Sequence, residues 1–254
     1  AAYSVLAAAH RLWEEVSALK VRVKFEKTGP MKYIGHLDMM RFFQKAIRRA
    51  GIDVAYSEGF SPHMIMSFAY PLGVGMTSSG EYFDLEINTP LSTAEMGRRF
   101  NSVMVEGVRV LSVREIPDDK KNKGMSLVAA ADYYVDFAPG MEPAQDWKAA
   151  VSAFMAQPSV MMLKKTKRSM EETDIRPMIY RFEVENQRLF LQLASGSARN
   201  LKPDLVMEAF YRYMGEEIRP FAWKIHRQEI YADVGTEENR KLVTLESLGK
   251  IFKK

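Results

Sequence analysis

Val21, Val23 and Phe25 alternate with Arg22, Lys24 and Glu26, a period of two that predicts a strand with one buried face. Gly29-Pro30 breaks it. The pattern then changes to a helical one over 36–50, with Leu37, Met40, Phe43 and Ile47 on one face, Asp38 in the first turn and Gly51 at the end. Two extended stretches are expected near 53–57 and 63–71. Phe83, Leu85 and Ile87 alternate with Tyr82, Asp84 and Glu86 as another strand. Ser92 and Glu95 form a capping-box pattern ahead of a helix with apolar Met96, Phe100, Val103 and Met104, and a strand follows over 108–116.

The same order returns after the charged run Asp118–Gly124. Tyr133, Val135 and Phe137 mark a strand, and Trp147, Val151, Phe154 and Met155 mark a helix. Extended stretches near 160–166, 178–184 and 188–194 follow, with Glu185-Asn186-Gln187 as a turn. Pro203 suits the first turn of a helix whose apolar face is Val206, Phe210, Tyr213 and Met214, and 221–231 reads as a closing strand. The predicted fold is α+β: two tandem ferredoxin-like (β-α-β-β-α-β) units with antiparallel sheets, plus flanking terminal helices. The units span 21–118 and 127–234, joined by a charged linker over 119–126. Residues 1–20 read as an N-terminal helix or upstream tail, and 235–254 as a C-terminal helix.

Composition narrows the chemistry. The chain has 254 residues, 47% of them apolar, enough for two ordinary cores. It has no cysteine, which excludes disulfides, thiolate zinc sites, cysteine-ligated iron–sulfur clusters and cysteine nucleophiles, and fits a cytoplasmic location. No run of apolar residues is long enough for a transmembrane helix, so no membrane association is expected. The net charge is only +4, but residues 20–50 hold nine Lys/Arg against two acids. Arg41, Lys45, Arg48 and Arg49 fall at spacings of three, four and seven on the helix face opposite the apolar one, and Lys24 and Lys27 lie on the strand before it. Such a stripe suits phosphate contacts on RNA; it also describes an ordinary solvated face.

Two of the four histidines lie beside carboxylates, in Gly35-His36-Leu37-Asp38 and Ser57-Glu58-Gly59-Phe60-Ser61-Pro62-His63. If they converge with Glu58 and Glu81, His36 and His63 could serve as acid and base, or the cluster His36, Asp38, Ser57, Glu58, Phe60 and His63 could grip a nucleotide or a partner loop. Equally, His36 could cap the helix and His63 satisfy buried backbone. The spacing is not that of a metal site, and no cofactor is expected. Met161–Arg168, followed by Asp174-Ile175-Arg176-Pro177, forms a second basic loop. Gly73-Val74-Gly75 lacks the Lys-Ser/Thr of a P-loop, and no hydrolase elbow or RNA-recognition aromatic motif is evident.

Lys27-x-Gly29, His36-Leu37-Asp38-x-x-Arg41, Arg48-Arg49-Ala50-Gly51, Ser57-x-Gly59-Phe60-x-Pro62-His63, Ser67-Phe68-Ala69-x-Pro71-Leu72-x-x-Gly75 and Glu81 together resemble the bacterial radical SAM-linked family. That family is a domain of unknown function found beside a radical SAM protein or fused to one. Asp-Ile-Arg176-Pro177 resembles its second-half motif. Gly35, Ser61 and Met64 depart from the expected Ser, Asn and Pro. The resemblance implies a radical SAM protein as partner, and gene neighbourhood in the family suggests RNA-related work. The expected function is an RNA-binding accessory factor to a radical SAM RNA-modifying enzyme, more readily a non-enzyme by itself. One alternative is a metal-independent endoribonuclease using His36 and His63, by analogy to CRISPR-RNA-processing enzymes of similar element order. The other is an adaptor docking on the radical SAM protein.

Overall fold

In the computed structural model the alternation around Val23 forms β1 (Leu19–Lys27), and residues 19–165, 170–236 and 238–253 are described. The expected N-terminal helix lies outside the described residues. Helix α1 (His36–Arg49) follows a short 3-10 turn at Gly29–Tyr33 and ends where Gly51 takes φ 62°. Its buried face is Met39, Phe43, Ala46 and Ile47, rotated from the expected one, and Leu37 faces solvent. Next come β2 (Met66–Phe68), β3 (Thr77–Ile87), α2 (Thr93–Asn101) and β4 (Val108–Glu115). Ser92 caps α2 by accepting from the Glu95 amide at 3.2 Å, while the Glu95 carboxylate turns to Arg98 and Arg99 instead of reaching back.

The segment expected as a linker is packed structure. A 3-10 turn at Lys120–Asn122 leads into the four-residue α3 (Gly124–Leu127). Gly124 donates to Asp84 at 2.7 Å, and a Cβ there would meet that of Ala69 at 3.0 Å. The second half comprises β5 (Val128–Phe137), α4 (Trp147–Met155), β6 (Met161–Lys165), β7 (Met170–Asp174), β8 (Ile179–Glu185), β9 (Arg188–Ala194), α5 (Pro203–Met214) and β10 (Trp223–Asp233).

Seven strands hydrogen-bond in the order β4-β1-β3-β10-β5-β9-β8, with β2 added to β3. Every pairing is antiparallel except β3 with β10, which run parallel for His226↔Thr77 and Arg227↔Ser78. That short parallel contact joins the two halves into one sheet. Each half keeps its own apolar core against its helices. Phe25, Phe43, Phe68 and Phe83 interlock in the first, with Phe43 4.7 Å from both Phe25 and Phe83. Phe154, Phe182 and Phe210 do so in the second.

Two further expectations change. In the stretch expected near 160–166, β6 lies outside the large sheet, in a separate β6–β7 hairpin whose register sets Lys164 opposite Glu171 and Leu163 opposite Glu172. Of its basic run, Lys164 thus has an acid as cross-strand partner; Thr166–Ser169 lie outside the described residues. The expected C-terminal helix is also absent from the described residues there. β11 (Leu242–Thr244) extends the sheet along β10, and a 3-10 turn at Leu245–Leu248 crosses the back of β1. Asp233 explains the start of that path by holding the amides of Gly235 and Lys241, both at 2.9 Å. Burial of Leu245 fixes its end. Together these outweigh the helical spacing of the sequence.

Candidate functional site

The alternation of β1 sends Arg22 and Lys24 to the sheet face away from α1, where the C-terminal segment covers them. Arg22 makes a bidentate pair with Asp84 (2.8 and 3.0 Å) and donates to the carbonyls of Asn122 and Leu245. Lys24 meets Glu229 at 2.6 Å and Glu246 at 2.7 Å. Tyr82 also donates to Glu229, at 2.7 Å. Burial works against the Lys24 charge, but the two carboxylates outweigh it and hold its pKa above the ordinary lysine value. Lys24 is therefore an internal strut and does not belong to the surface stripe.

At the parallel seam a second buried group forms. Glu81 of β3 and Arg227 of β10 are 4% and 2% exposed and share two bonds, at 2.7 and 2.6 Å. The same guanidinium donates to the Tyr70 carbonyl at 2.6 Å and lies 4.7 Å from the Tyr70 ring centre. Burial depresses the Arg227 pKa, yet the Glu81 carboxylate more than restores it. Lys27 lies close by, donating to the Ile34 carbonyl at 2.6 Å, and burial pushes its pKa down. Lys27, Glu81 and His36 line one small cavity with Phe68 and Leu72, and the His36 ring stands edge-on to Phe68 at 5.2 Å. Among the expected site residues the structure thus unites Lys27, His36 and Glu81.

His63 is elsewhere. Its Nδ1 lies 2.8 Å from Ser57 Oγ, and its backbone amide donates to that oxygen at 3.1 Å. With the Ser57 amide bonded to the His63 carbonyl, these contacts close the 57–63 loop at its base. His63 lines a different cavity, of about 220 Å³, with Lys20, Met66, Glu86 and Pro117. No contact joins the two histidines. Glu58 is exposed, Gly59 takes φ 104°, and the Phe60 side chain is fully exposed at the loop tip.

The stripe on α1 is where the sequence puts it. Arg41, Lys45, Arg48 and Arg49 are all exposed. Arg41 meets Asp38 at 3.0 Å, and Arg49 donates to the Val103 carbonyl at 3.0 Å. Among the described residues neither Lys45 nor Arg48 has an ion-pair partner. Arg176 has a structural post: it donates to the Met155 carbonyl at 3.0 and 2.8 Å, closing the end of α4, and to Ile179 at 3.2 Å.

Sequence reasoning missed Arg227, Arg22, Tyr70 and Glu229. A signal existed for Arg227: it falls on the inward parity of β10, two residues after buried Ile225, where a lone arginine requires a partner. Among the described residues no group of three His, Cys, Asp or Glu side chains could hold a metal ion, and no helix is long and apolar enough to cross a membrane.

The molecule these features define is an α+β protein with one large, mostly antiparallel sheet. Glu81 and Arg227 form a buried ionic pair at its seam, and a basic helix face lies on its surface. The family described as uncharacterized proteins conserved in bacteria (DUF2344) matches residues 20–203, and the chain belongs to it. No curated protein matches the chain.

Proposed function

We propose that this protein is a cytoplasmic RNA-binding accessory factor that presents a structured RNA to a radical SAM modification enzyme. The observation that carries the reading is the outer face of α1, where four cations stand in solvent with Asp38 as the one acid of the helix. Among the described residues Lys45 and Arg48 pair with no carboxylate. Phosphates are the ligand that such exposed cations on one helix face favour. The radical SAM partnership rests on the motif resemblance and on the missing cysteines: thiolate ligands for such a cluster have to come from outside these 254 residues. The strand neighbours support reading the sheet as two ferredoxin-like units joined edge to edge. In each half the first strand lies between the fourth and the third, and the second strand borders the third.

A second reading, an adaptor docking on the radical SAM protein, is favoured by Phe60, a fully exposed aromatic at the tip of the motif loop. Strand cleavage by His36 and His63 has no such support, because the two line different cavities.

Pull-down of the full chain from native cells, with RNA and protein both identified, tests these readings. Wild type is expected to retain RNA and a radical SAM protein, and Lys45→Glu/Arg48→Glu to lose the RNA. Retention of equal RNA by the variant would overturn the RNA reading. A protein partner that survives nuclease treatment and disappears with Phe60→Ala would establish the adaptor.

A further inference from the structure

A cleft on the helix-bearing edge of the seam is used by nothing described so far. Its volume is about 680 Å³, inside the range of ~300–1,000 Å³ typical of ligand sites. One wall comes from the first half, with Lys32, Tyr33 and Val74; the other comes from residues 218–225 of the second. Phe221 is 92% exposed and Tyr33 66%. Phe221 also takes φ 59°, a left-handed conformation that bulky residues rarely adopt and that folds keep where the side chain has a task.

Trp223 forms a fixed floor. Its Nε1 donates to Asp204 at 3.0 Å, and its ring lies 5.2 Å from Tyr211. Asp204, the cleft's one carboxylate, is thereby engaged. The cations outnumber it. Lys32 sits 5.0 Å over the Tyr33 ring, Lys224 is exposed on β10, and Arg219 reaches the Gly140 carbonyl at 3.1 Å. The cleft shares Lys32, Gly75, Lys224 and Ile225 with a neighbouring cavity of about 290 Å³ that leads to His226 and Arg188.

We propose that this cleft binds an unpaired nucleic-acid strand, with bases stacking on Phe221 and Tyr33 and phosphates meeting Lys32 and Lys224. Two solvent-facing rings from opposite walls, interleaved with cations along an open trough, are the combination that single strands use, because every base offers a π-face and every linkage a charge. The trough's extension past Lys224 suits a chain of nucleotides better than a lone one. The proposal rests on the nucleic-acid reading of α1 and adds a second, base-contacting site to it.

The test is fluorescence anisotropy on the full chain with labelled oligouridine and oligothymidine 12-mers, an RNA duplex, and adenosine monophosphate as competitor. Phe221→Ala is expected to weaken both 12-mers by about 5- to 150-fold, from the worth of one stacked base, and to leave duplex affinity unchanged. Phe221→Leu, which keeps bulk without the ring, should behave alike. Lys32→Gln/Lys224→Gln should lower the single-strand salt slope by about 1.4. Loss on the RNA 12-mer alone would support the proposal and restrict the ligand to RNA. Unchanged 12-mer binding by Phe221→Ala, with duplex binding intact, would overturn the cleft and spare the α1 reading. Failure of wild type to bind any of the three nucleic acids would overturn both. Competition by the mononucleotide as strong as by a 12-mer would overturn the strand assignment.

Discussion

Glu81→Gln is the sharpest probe of the seam. The substitution keeps size and removes the charge facing Arg227, whose guanidinium cannot shed its proton. Arg227 is 2% exposed, so water cannot take the place of the carboxylate. Breaking a buried pair from one side costs ~3–5 kcal/mol. The Tyr70 carbonyl at 2.6 Å and the Tyr70 ring at 4.7 Å remain as partial compensation, which points to the lower end, about 3 kcal/mol. In urea unfolding followed by tryptophan fluorescence, a slope of ~3 kcal/mol per molar turns that into a midpoint lower by about 1 M. Arg227→Met alone should also destabilise. The double substitution Glu81→Gln/Arg227→Met should cost about 2 kcal/mol less than the sum of the singles, because paired groups couple by ~0.5–3 kcal/mol and replacing both partners leaves no stranded charge. A Glu81→Gln midpoint within 0.2 M of wild type, or strictly additive singles, would refute the structural role argued for Glu81.

Gly80→Ala should strain the same joint differently, since its Cβ would stand 2.7 Å from both the Gln228 carbonyl and the Glu229 Cα, and overpacking of this kind costs ~1–3 kcal/mol; a thermal midpoint equal to wild type would contradict the close approach of β3 and β10. His226 bonds Thr77 at 2.8 Å and Ser79 at 3.0 Å, and burial, aided by Arg188, lowers its pKa below the usual 6.5. The unfolded chain then binds more protons than the folded one below about pH 7, so this residue's contribution to stability falls as the solution is acidified. Wild type should lose more of its urea midpoint than His226→Gln between pH 7.5 and 5.5, and an equal or smaller loss would count against the assignment.

Much of the fold was readable because its strands have one apolar face. Val21, Val23 and Phe25, then Phe83, Leu85 and Ile87, announce β1 and β3 through side-chain alternation alone. The Ser92 cap of α2 and the Gly51 stop of α1 were equally local. What escaped was non-local. Leu242–Leu248 has helical spacing, but pairing with β10 and the seat of Leu245 over Arg22 decide its path. The site divides on the same line. The α1 stripe follows from periodicity, so its four arginines and lysines were placed correctly on one exposed face. Glu81 and Arg227 are 146 residues apart, and only the register of β3 with β10 joins them. Likewise Lys24 reads as a surface cation until Glu229 and Glu246 are folded over it. Cations on helices could be sorted from sequence; cations on strands needed the partner strand.

The central claim is that the α1 face binds nucleic-acid phosphates, and its most direct test is the salt dependence of RNA binding by the full chain. Four phosphate contacts by Arg41, Lys45, Arg48 and Arg49 predict a linear plot of log affinity against log salt with a slope steeper than about −2.8. Lys45→Glu/Arg48→Glu should flatten it by at least about 1.4. A wild-type slope near zero, or an identical slope in the variant, would contradict the account.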